Sequence, residues 1–293
     1  MHEQLIPIIA PVLLCVLLGY GWARSGVPFE REFLTRINMN IGAPCLILRG
    51  IVGLDAETPA FLMMLGFGAL MLICGAIAAS AVLGACRLSL RSFLPPVVFG
   101  NIGNLGLPLC LFAFGTEGLG LAVAIYLVGA VSHFILVPLV QGRQTAWTIL
   151  VQTPIIYAAI GGIGLLATNA TMPDWLANSV ELLAGLAIPL MLLALGHALG
   201  SIRIERVRLA TGLAVLRLGI GFSVGVALVE AFELSGIARG VVLVESAMPV
   251  AVFNFLMAAR YERHPEEVAG AIVISTLLSF LTMPALLLFA LPR

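Results

Sequence analysis

The sequence contains no lysine and little charge of either sign. Over 293 residues all 15 basic residues are arginine, 15 acidic residues balance them, and only 10% of the chain is charged. A P-loop nucleotidase needs a lysine on its phosphates, and a retinal pigment or Schiff-base enzyme needs an amine nucleophile. Both classes are therefore excluded. The zero net charge also offers no basic surface for nucleic acid.

Cysteine is scarce, and motifs of enzyme chemistry are missing. None of the five cysteines has the spacing of zinc ligands, and they form no pattern typical of a disulfide framework. Their positions within or at the ends of apolar runs favour a packing role. The sequence also lacks the HExxH and GxSxG motifs. We predict no enzyme activity, cofactor, metal or nucleic-acid partner.

Long apolar runs make up what remains. With 61% hydrophobic residues, the chain is too apolar for a water-soluble domain. A transmembrane helix needs about 20 apolar residues to cross the hydrocarbon core of a bilayer. Ten such runs follow one another, numbered here as segments 1 to 10. They are residues 5–23, 33–52, 60–86, 93–115, 118–140, 148–167, 177–199, 209–231, 237–260 and 267–291.

Arginine placement predicts how the chain crosses the membrane. Eleven arginines lie in connections that follow odd-numbered segments, three lie on the opposite side, and Arg217 lies inside segment 8. Basic residues concentrate on the cytoplasmic side, so both termini are predicted to lie outside. Only Met-His-Glu-Gln precedes segment 1, and no Ala-x-Ala-like site follows it. We therefore expect segment 1 to remain as a helix.

Landmarks recur at an almost constant offset and indicate an internal repeat. Pro44 in segment 2 lies 145 residues before Pro189 in segment 7, and Pro138 in segment 5 lies 146 before Pro284 in segment 10. An odd number of helices per half inverts one half relative to the other. We therefore predict two inverted five-helix repeats, residues 1–140 and 148–293, joined by a cytoplasmic connector at 141–147. Inverted repeats with interrupted helices are typical of secondary transporters.

Segments 4 and 9 carry residues that interrupt helices. Residues 99–108 hold three glycines, two asparagines and a proline, and Pro249 lies at the matching place in segment 9. These residues disfavour a helix interior. We interpret both sites as unwound crossings that present backbone groups and half-helix ends to a ligand. Close packing of helices through glycine, with asparagines bonding between helices, is the alternative.

Few ionisable residues lie within the segments. Glu245 precedes Pro249 by about one helical turn, and His133 lies in the middle of segment 5. A carboxylate is costly in hydrocarbon, so Glu245 is a candidate for binding a proton or a coupling cation. Its alternatives are a backbone partner or a wetted position near the outer surface. His133 is either a ligand donor or a structural histidine.

At these residues the sequence resembles the auxin efflux carrier family, which includes plant auxin exporters and bacterial malate and malonate carriers. The matching stretches are residues 100–108 (GNIGNLGLP), 247–252 (AMPVAV), 260–261 (RY) and 275–279 (STLLS). The resemblance implies an all-α polytopic fold with ten transmembrane helices, similar to NhaA and the bile-acid symporters. Segments 1, 2, 6 and 7 would form a scaffold, and 3–5 with 8–10 a moving transport domain.

The resemblance also implies a site for small organic anions where segments 4 and 9 cross. Asn101 takes the place of the crossover asparagine, Pro249 that of the first segment 9 proline, and Asn254 stands where plant carriers have a second proline. His133 falls near a ligand contact of those carriers. The expected substrate residues are Asn101, Gly103, Asn104, Pro108, His133, Met248, Pro249, Val250 and Asn254, with Glu245 for a proton or Na⁺.

Two departures from the plant carriers change these expectations. Their long cytoplasmic loop is reduced here to about residues 141–147, and their acidic residue in segment 3 has no counterpart in residues 61–86. A role in proton coupling therefore cannot pass to segment 3, and Glu245 is the substitute we expect. No arginine lies deep in segments 4 or 9, which favours helix dipoles and amides as the anion's partners, or else a substrate that is a monoanion or neutral.

The prediction is a secondary transporter of small carboxylates, such as malate, malonate or auxin-like monoacids, working by elevator-type alternating access. We expect a homodimer, joined through the scaffold helices, in the inner membrane of a bacterium with both termini in the periplasm. An anion channel or ligand sensor on the same fold is the first alternative. A membrane-embedded enzyme is the second, and it requires Glu245 and His133 to meet.

Overall fold

The computed structural model describes residues 2–54, 58–140, 153–168, 170–202 and 206–291, and all regular elements within them are helical. The predicted connector at 141–147 lies outside these residues. The helices are α1 (His2–Ser25), α2 (Arg31–Ile37), α3 (Ala43–Val52), α4 (Thr58–Ala85), α5 (Leu90–Val98), α6 (Leu107–Val140), α7 (Pro154–Thr168), α8 (Asp174–Ser201), α9 (Val207–Ala231), α10 (Gly236–Ser246), α11 (Phe253–Arg260) and α12 (Pro265–Ala290), with π-helical turns at Asn38–Gly42 and Ile102–Gly106.

The outer surface of the helices is apolar, which suits lipid rather than water. In the described residues six helical stretches are long and apolar enough to cross a membrane, and Pro154–Thr168 is a shorter apolar helix. Large hydrophobic side chains such as Leu182 and Leu281 are 76% and 78% exposed. A soluble monomer rarely exposes apolar patches of such extent. The fold is therefore that of a polytopic all-α membrane protein.

One group of helices packs around the long contact between α1 and α8, with α3 against both α7 and α8. Glycines let α1 and α8 approach closely: Gly19 lies against the Leu193 carbonyl, and Gly196 lies against the Val16 carbonyl. Small residues at helix contacts are a common means of association in lipid, where burial of apolar surface drives little. We call α1, α3, α7 and α8 the first helix group.

The remaining long helices form a second group. Here α4 packs on α6, α9 packs on α12, and α10 packs on α6. Helix α6 turns sharply at Gly115, whose φ of 70° and ψ of −159° only glycine adopts easily. That turn separates the end of predicted segment 4 from the start of segment 5. We call α4, α5, α6, α9, α10, α11 and α12 the second helix group.

Two membrane-depth helices of the second group are interrupted. Helix α5 ends at Val98, and the chain is extended at Phe99–Asn101 before the π-helical turn leads into α6. Helix α10 ends at Ser246, and residues 247–252 are non-helical before α11 begins. Predicted segments 4 and 9 thus each consist of two half-helices. The first interruption centres on Gly100, slightly before the Asn101–Gly103 position read from the sequence.

The contact between α1 and α8 generates a stability prediction. A Cβ at Gly196 would overlap the Val16 carbonyl oxygen, whereas a Cβ at Gly185 of the same helix would meet no described heavy atom within 4 Å. We expect Gly196→Ala to lower the free energy of unfolding by about 1–3 kcal/mol through overpacking. Thermal unfolding of the purified protein in detergent, followed by tryptophan fluorescence, measures the change.

Gly185→Ala is the matched control for this experiment. It makes the same chemical change in the same helix, and alanine is the better helix former by about 1 kcal/mol. Its melting temperature should equal or exceed that of the parent. Equal melting temperatures for the two variants would contradict the close approach of α1 and α8.

Candidate functional site

The two interruptions meet and pair with each other. Gly100 and Val250 form an isolated antiparallel bridge. The Asn101 amide donates to the Pro249 carbonyl at 2.7 Å, and the Ala251 amide donates to the Phe99 carbonyl at 3.1 Å. Backbone groups without partners are not tolerated in hydrocarbon. The unwound segments therefore satisfy each other, and we call this pairing the crossover.

Polar side chains complete the crossover. The Ser275 hydroxyl of α12 accepts a hydrogen bond from the Val250 amide at 3.0 Å. The Asn254 side chain of α11 donates from Nδ2 to the Phe99 carbonyl at 3.0 Å. Both side chains are buried. They hold the extended residues in register, because each supplies a partner that the interrupted helices can no longer offer.

Arg217 of α9 reaches the crossover from outside segments 4 and 9. Its Nε donates to the Met248 carbonyl at 2.9 Å, and its Nη2 donates to the Ser246 carbonyl at 3.0 Å. Its Nη1 donates to the Val97 and Val98 carbonyls at 3.2 and 2.7 Å. The side chain is buried. One guanidinium therefore binds carbonyls from both interrupted helices.

These carbonyls belong to helix C-termini. Val98 is the last residue of α5, and Ser246 is the last residue of α10. A helix C-terminus carries about −0.5 of an elementary charge, so the two ends together present about −1. The single positive charge of Arg217 compensates them. Gly100 leaves room for this arrangement, since a Cβ there would overlap the guanidinium.

A cavity of about 700 Å³ lies beside the crossover. Its walls come from α8 and the end of α2 on one side, and from α4, α6 and α9 on the other. It reaches the surface at α2, where exposed Glu32 and Arg36 form an ion pair at 2.6 Å. Most of the lining is apolar. The predicted site residues that line it are Asn101, Gly103, Asn104, His133 and Glu245.

The other predicted site residues do not line this cavity, and all of them except Pro108 lie at the crossover. Met248 and Pro249 contribute backbone carbonyls, Val250 forms the bridge, and Asn254 holds Phe99. Pro108 lies in the first turn of α6. In this structure these five shape the backbone, and contact with a substrate stays a prediction for each of them.

Glu245 is fully buried at the end of α10. Its Oε1 accepts a hydrogen bond from the Cys110 thiol at 3.6 Å, whereas Oε2 has no hydrogen-bond partner in the described part of the chain. The carboxyl group lies against Gly106, where a Cβ would overlap it. It is thus next to the N-terminal end of α6, where the helix dipole favours negative charge.

Asn101 is a second buried polar residue with an unused hydrogen-bonding atom among the described residues that line the cavity. Its backbone is fixed by Pro249, but its side-chain Nδ2 has no hydrogen-bond partner among the described residues. A buried donor or acceptor without a partner costs about 1–3 kcal/mol, so native proteins rarely keep one without reason. Asn101 and Glu245 both line the cavity. A polar ligand there can satisfy both.

His133 contributes to an aromatic wall rather than to a charged site. Its ring stacks on Phe99, with 4.3 Å between centroids, and meets the edge of Phe253 at 5.1 Å. Tyr126 lies on the same helix as His133, α6, and packs against Gly103. All four aromatic or imidazole rings line the cavity. Together they form an aromatic wall of the cavity next to the polar crossover.

Sequence reasoning missed the part that Arg217 plays. Arginine was considered as an anion's partner only in segments 4 and 9, and the structure brings this one from segment 8. The usable signal was the burial cost of a charge in a membrane helix, which makes any such residue a functional candidate. Ser246 and Ser275 were also missed. Ser246 and Tyr126 line the cavity, but neither differs by type from ordinary residues of a packed helix.

Comparisons with known proteins identify the family of this chain. A family profile described as "Membrane transport protein" matches residues 5–145 and 142–287. An uncharacterized transporter of Methanocaldococcus jannaschii is 27% identical over 197 residues, which are 64% of this chain and 64% of that protein. Auxin efflux carrier component 1 of Arabidopsis thaliana is 29% identical over 151 residues, or 49% of this chain and 24% of the carrier.

The chain thus covers less than two thirds of the length of each relative. The family and the names of both relatives point to a transporter rather than an enzyme. The profile spans nearly all of the described helices, including the crossover and the helices that form the cavity. The chain therefore belongs to the membrane transport protein family, that of the auxin efflux carriers.

Proposed function

We propose that this protein is a secondary active transporter of small organic anions, with its binding site in the cavity at the crossover. The observation that carries the proposal is the meeting of two interrupted helices at membrane depth beside a cavity that reaches the surface. Irregular backbone at this depth is tolerated where it is buried or lines a cavity, and it marks the sites of transporters.

The charge distribution favours an anion. With the two helix C-termini compensated by Arg217, two helix N-terminal ends remain, each carrying about +0.5 of an elementary charge: that of the π-helical turn at Ile102, which leads into α6, and that of α11. The unpartnered Nδ2 of Asn101 adds a hydrogen-bond donor. A carboxylate binds such a combination without a second arginine. The volume of about 700 Å³ suits a small organic molecule.

Malate, malonate and auxin-like monoacids are the candidate substrates. The aromatic wall of Phe99, His133 and Tyr126 suits the apolar body of a monoacid, whereas a dicarboxylate requires polar partners for its second charge. Plant auxin carriers share the family but match only part of this chain. All three substrates therefore belong in the first binding screen.

We further propose ten transmembrane helices in two inverted five-helix repeats. The half-helix pairs α5–α6 and α10–α11 fall at matching places of the two halves, near the offset of 146 residues. The first helix group would be the scaffold and the second group the transport domain. The cavity lies between these groups, which is where an elevator-type movement would carry the substrate across.

The opening of the cavity at α2 supports an inward-facing state. Arg36 at its mouth belongs to the side that arginine placement assigns to the cytoplasm. The termini would then be periplasmic in a bacterial inner membrane. We propose a homodimer joined through the scaffold helices, an arrangement that leaves the second helix group free to move.

The first prediction from this proposal concerns ligand binding. Malate, malonate and indole-type monocarboxylates should be screened for an increase in the melting temperature of the purified protein, because a ligand that binds only the folded state stabilises it. At least one carboxylate should produce a concentration-dependent increase, and its uncharged amide should produce none. No increase with any carboxylate would contradict the anion site.

Transport of the binding anion should then show carrier kinetics. In liposomes, uptake of labelled anion should saturate and should accelerate when unlabelled anion is present inside. Acceleration of this kind requires that the site alternates between the two sides of the membrane. Linear uptake without counterflow would instead favour a channel on the same fold.

Glu245 generates a prediction on pH. A proton that travels with the anion must bind within the cavity, and Glu245 is a buried carboxylate there with an unpartnered oxygen. The other ionisable groups near it are Cys110 on α6 and, lining the same cavity, Tyr126, His133 and Arg217. Anion uptake by the parent protein should increase as the external pH falls, and Glu245→Gln should remove most of that dependence.

Glu230→Gln is the matched control, because Glu230 is exposed at the far end of α9. It makes the same change from acid to amide and should leave the pH profile of uptake unaltered. An unaltered profile in Glu245→Gln as well would exclude Glu245 as the proton site and leave the anion site itself intact.

A further inference from the structure

We propose that the guanidinium of Arg217 is the resident cation of the crossover, so that anion binding there needs no Na⁺. The inference rests on the proposed anion site and decides between the two coupling ions that the sequence leaves open. It concerns a residue whose part in the site neither the sequence motifs nor the family resemblance assigned.

Arg217 binds the kind of backbone oxygens that bind Na⁺ in other transporters. Four backbone carbonyls, those of Val97, Val98, Ser246 and Met248, converge on one side chain at 2.7–3.2 Å. In transporters with interrupted helices, unwound carbonyls and half-helix C-termini are the groups that coordinate Na⁺. Here a fixed cation already holds them, and it engages four of its five N–H donors in doing so.

The charge of Arg217 also balances the partial charges of the helix ends that it binds. The C-termini of α5 and α10 together present about −1, which the charge of Arg217 cancels. Without a cation these ends would repel an anion in the adjacent cavity. With one, and with Glu245 protonated as the proposed function requires, the N-terminal ends of the helices that begin at Ile102 and Phe253 determine the local potential. A second cation at the same carbonyls would have neither charge to neutralise nor free oxygens to bind.

Two glycines leave the space that the guanidinium of Arg217 and its carbonyl partner occupy. A Cβ at Gly100 would overlap Nη2 of Arg217, and a Cβ at Gly221 would overlap the Ser246 carbonyl that Nη2 binds. Arg217 itself is only 6% exposed. A guanidinium also keeps its charge at every physiological pH, unlike a carboxylate. The compensation is therefore permanent and does not vary during the transport cycle.

Chemical rescue tests the inference. Arg217→Ala removes the guanidinium and leaves a space of matching shape between the two helix ends. We expect this variant to lose thermal stability and to bind the anion found in the screen at least about tenfold more weakly. Millimolar guanidinium chloride should restore both properties in part, and urea, which has the same shape without charge, should restore neither.

Na⁺ provides the second arm of the experiment. In the parent protein, replacing Na⁺ with N-methylglucamine should leave anion affinity and melting temperature unchanged. Arg217→Lys keeps the charge but loses the planar fork, so it should be less stable yet still bind the anion without Na⁺. A requirement for Na⁺ in the parent or in Arg217→Lys would overturn the inference.

Arg239→Ala is the matched control. Arg239 also donates to a helix carbonyl, that of Phe289 at 2.7 Å, but it is only half-buried and does not line the cavity at the crossover. Its loss should change anion affinity little, and guanidinium should have no effect on it. If urea and guanidinium act equally on Arg217→Ala, or neither acts, Arg217 is a packing residue and the inference is wrong.

The stability measurements separate this inference from the proposed function. They need no anion, so they test Arg217 even if no carboxylate binds the parent protein. Guanidinium rescue of stability without anion binding by the parent would support the resident cation and refute the anion site. Anion binding that depends on Na⁺ would support the anion site and refute the resident cation.

Discussion

The hydrogen bonds of Arg217 are the interaction on which the rest of the site depends. Interrupting two helices inside a membrane exposes carbonyls that no water or neighbouring turn can satisfy. One guanidinium binds four of them and neutralises the two helix ends from which they come. The short antiparallel pairing of Gly100 with Val250 satisfies the remaining extended backbone. The crossover therefore satisfies most of its own polar groups. Among the described residues, the unpartnered Nδ2 of Asn101 and Oε2 of Glu245 belong to residues that line the cavity, whereas the unpartnered Oδ1 of Asn254 belongs to one that does not.

Those unused groups define what the site can bind. The buried Oε2 of Glu245 and Nδ2 of Asn101 lie beside an otherwise apolar cavity with an aromatic wall. A proton suits the first atom, and a carboxylate oxygen suits the second. Arg217 holds a permanent charge, whereas the charge of Glu245 can change. Arg217 thus organises the backbone, and a response to protons is the role we propose for Glu245.

Much of the fold could be predicted from composition and pattern. The apolar helices and the weak points predicted at Asn101–Gly103 and near Pro249 have local causes, because apolar runs, glycine and proline act on membranes and helices wherever they occur. The sequence predicted the first interruption at Asn101–Gly103, slightly after its observed centre at Gly100. Gly103 and Asn104 lie in a π-helical turn rather than in extended chain. Helix propensity identifies a weak region of the helix, but pairing with the other interrupted helix determines which residues unwind.

The sequence by itself determined that the chain is a membrane protein and where its helices weaken, because both follow from residue types within about 20 neighbours. Only the tertiary structure decided which residues meet at the weakened points. Arg217 is about 120 residues from Val97 along the chain, and no local pattern encodes that distance. The tertiary structure also gave the two asparagines different surroundings: Asn101 lines the cavity, whereas Asn254 bonds to Phe99. Side-chain direction in an interrupted helix depends on its neighbours, and those are set by packing.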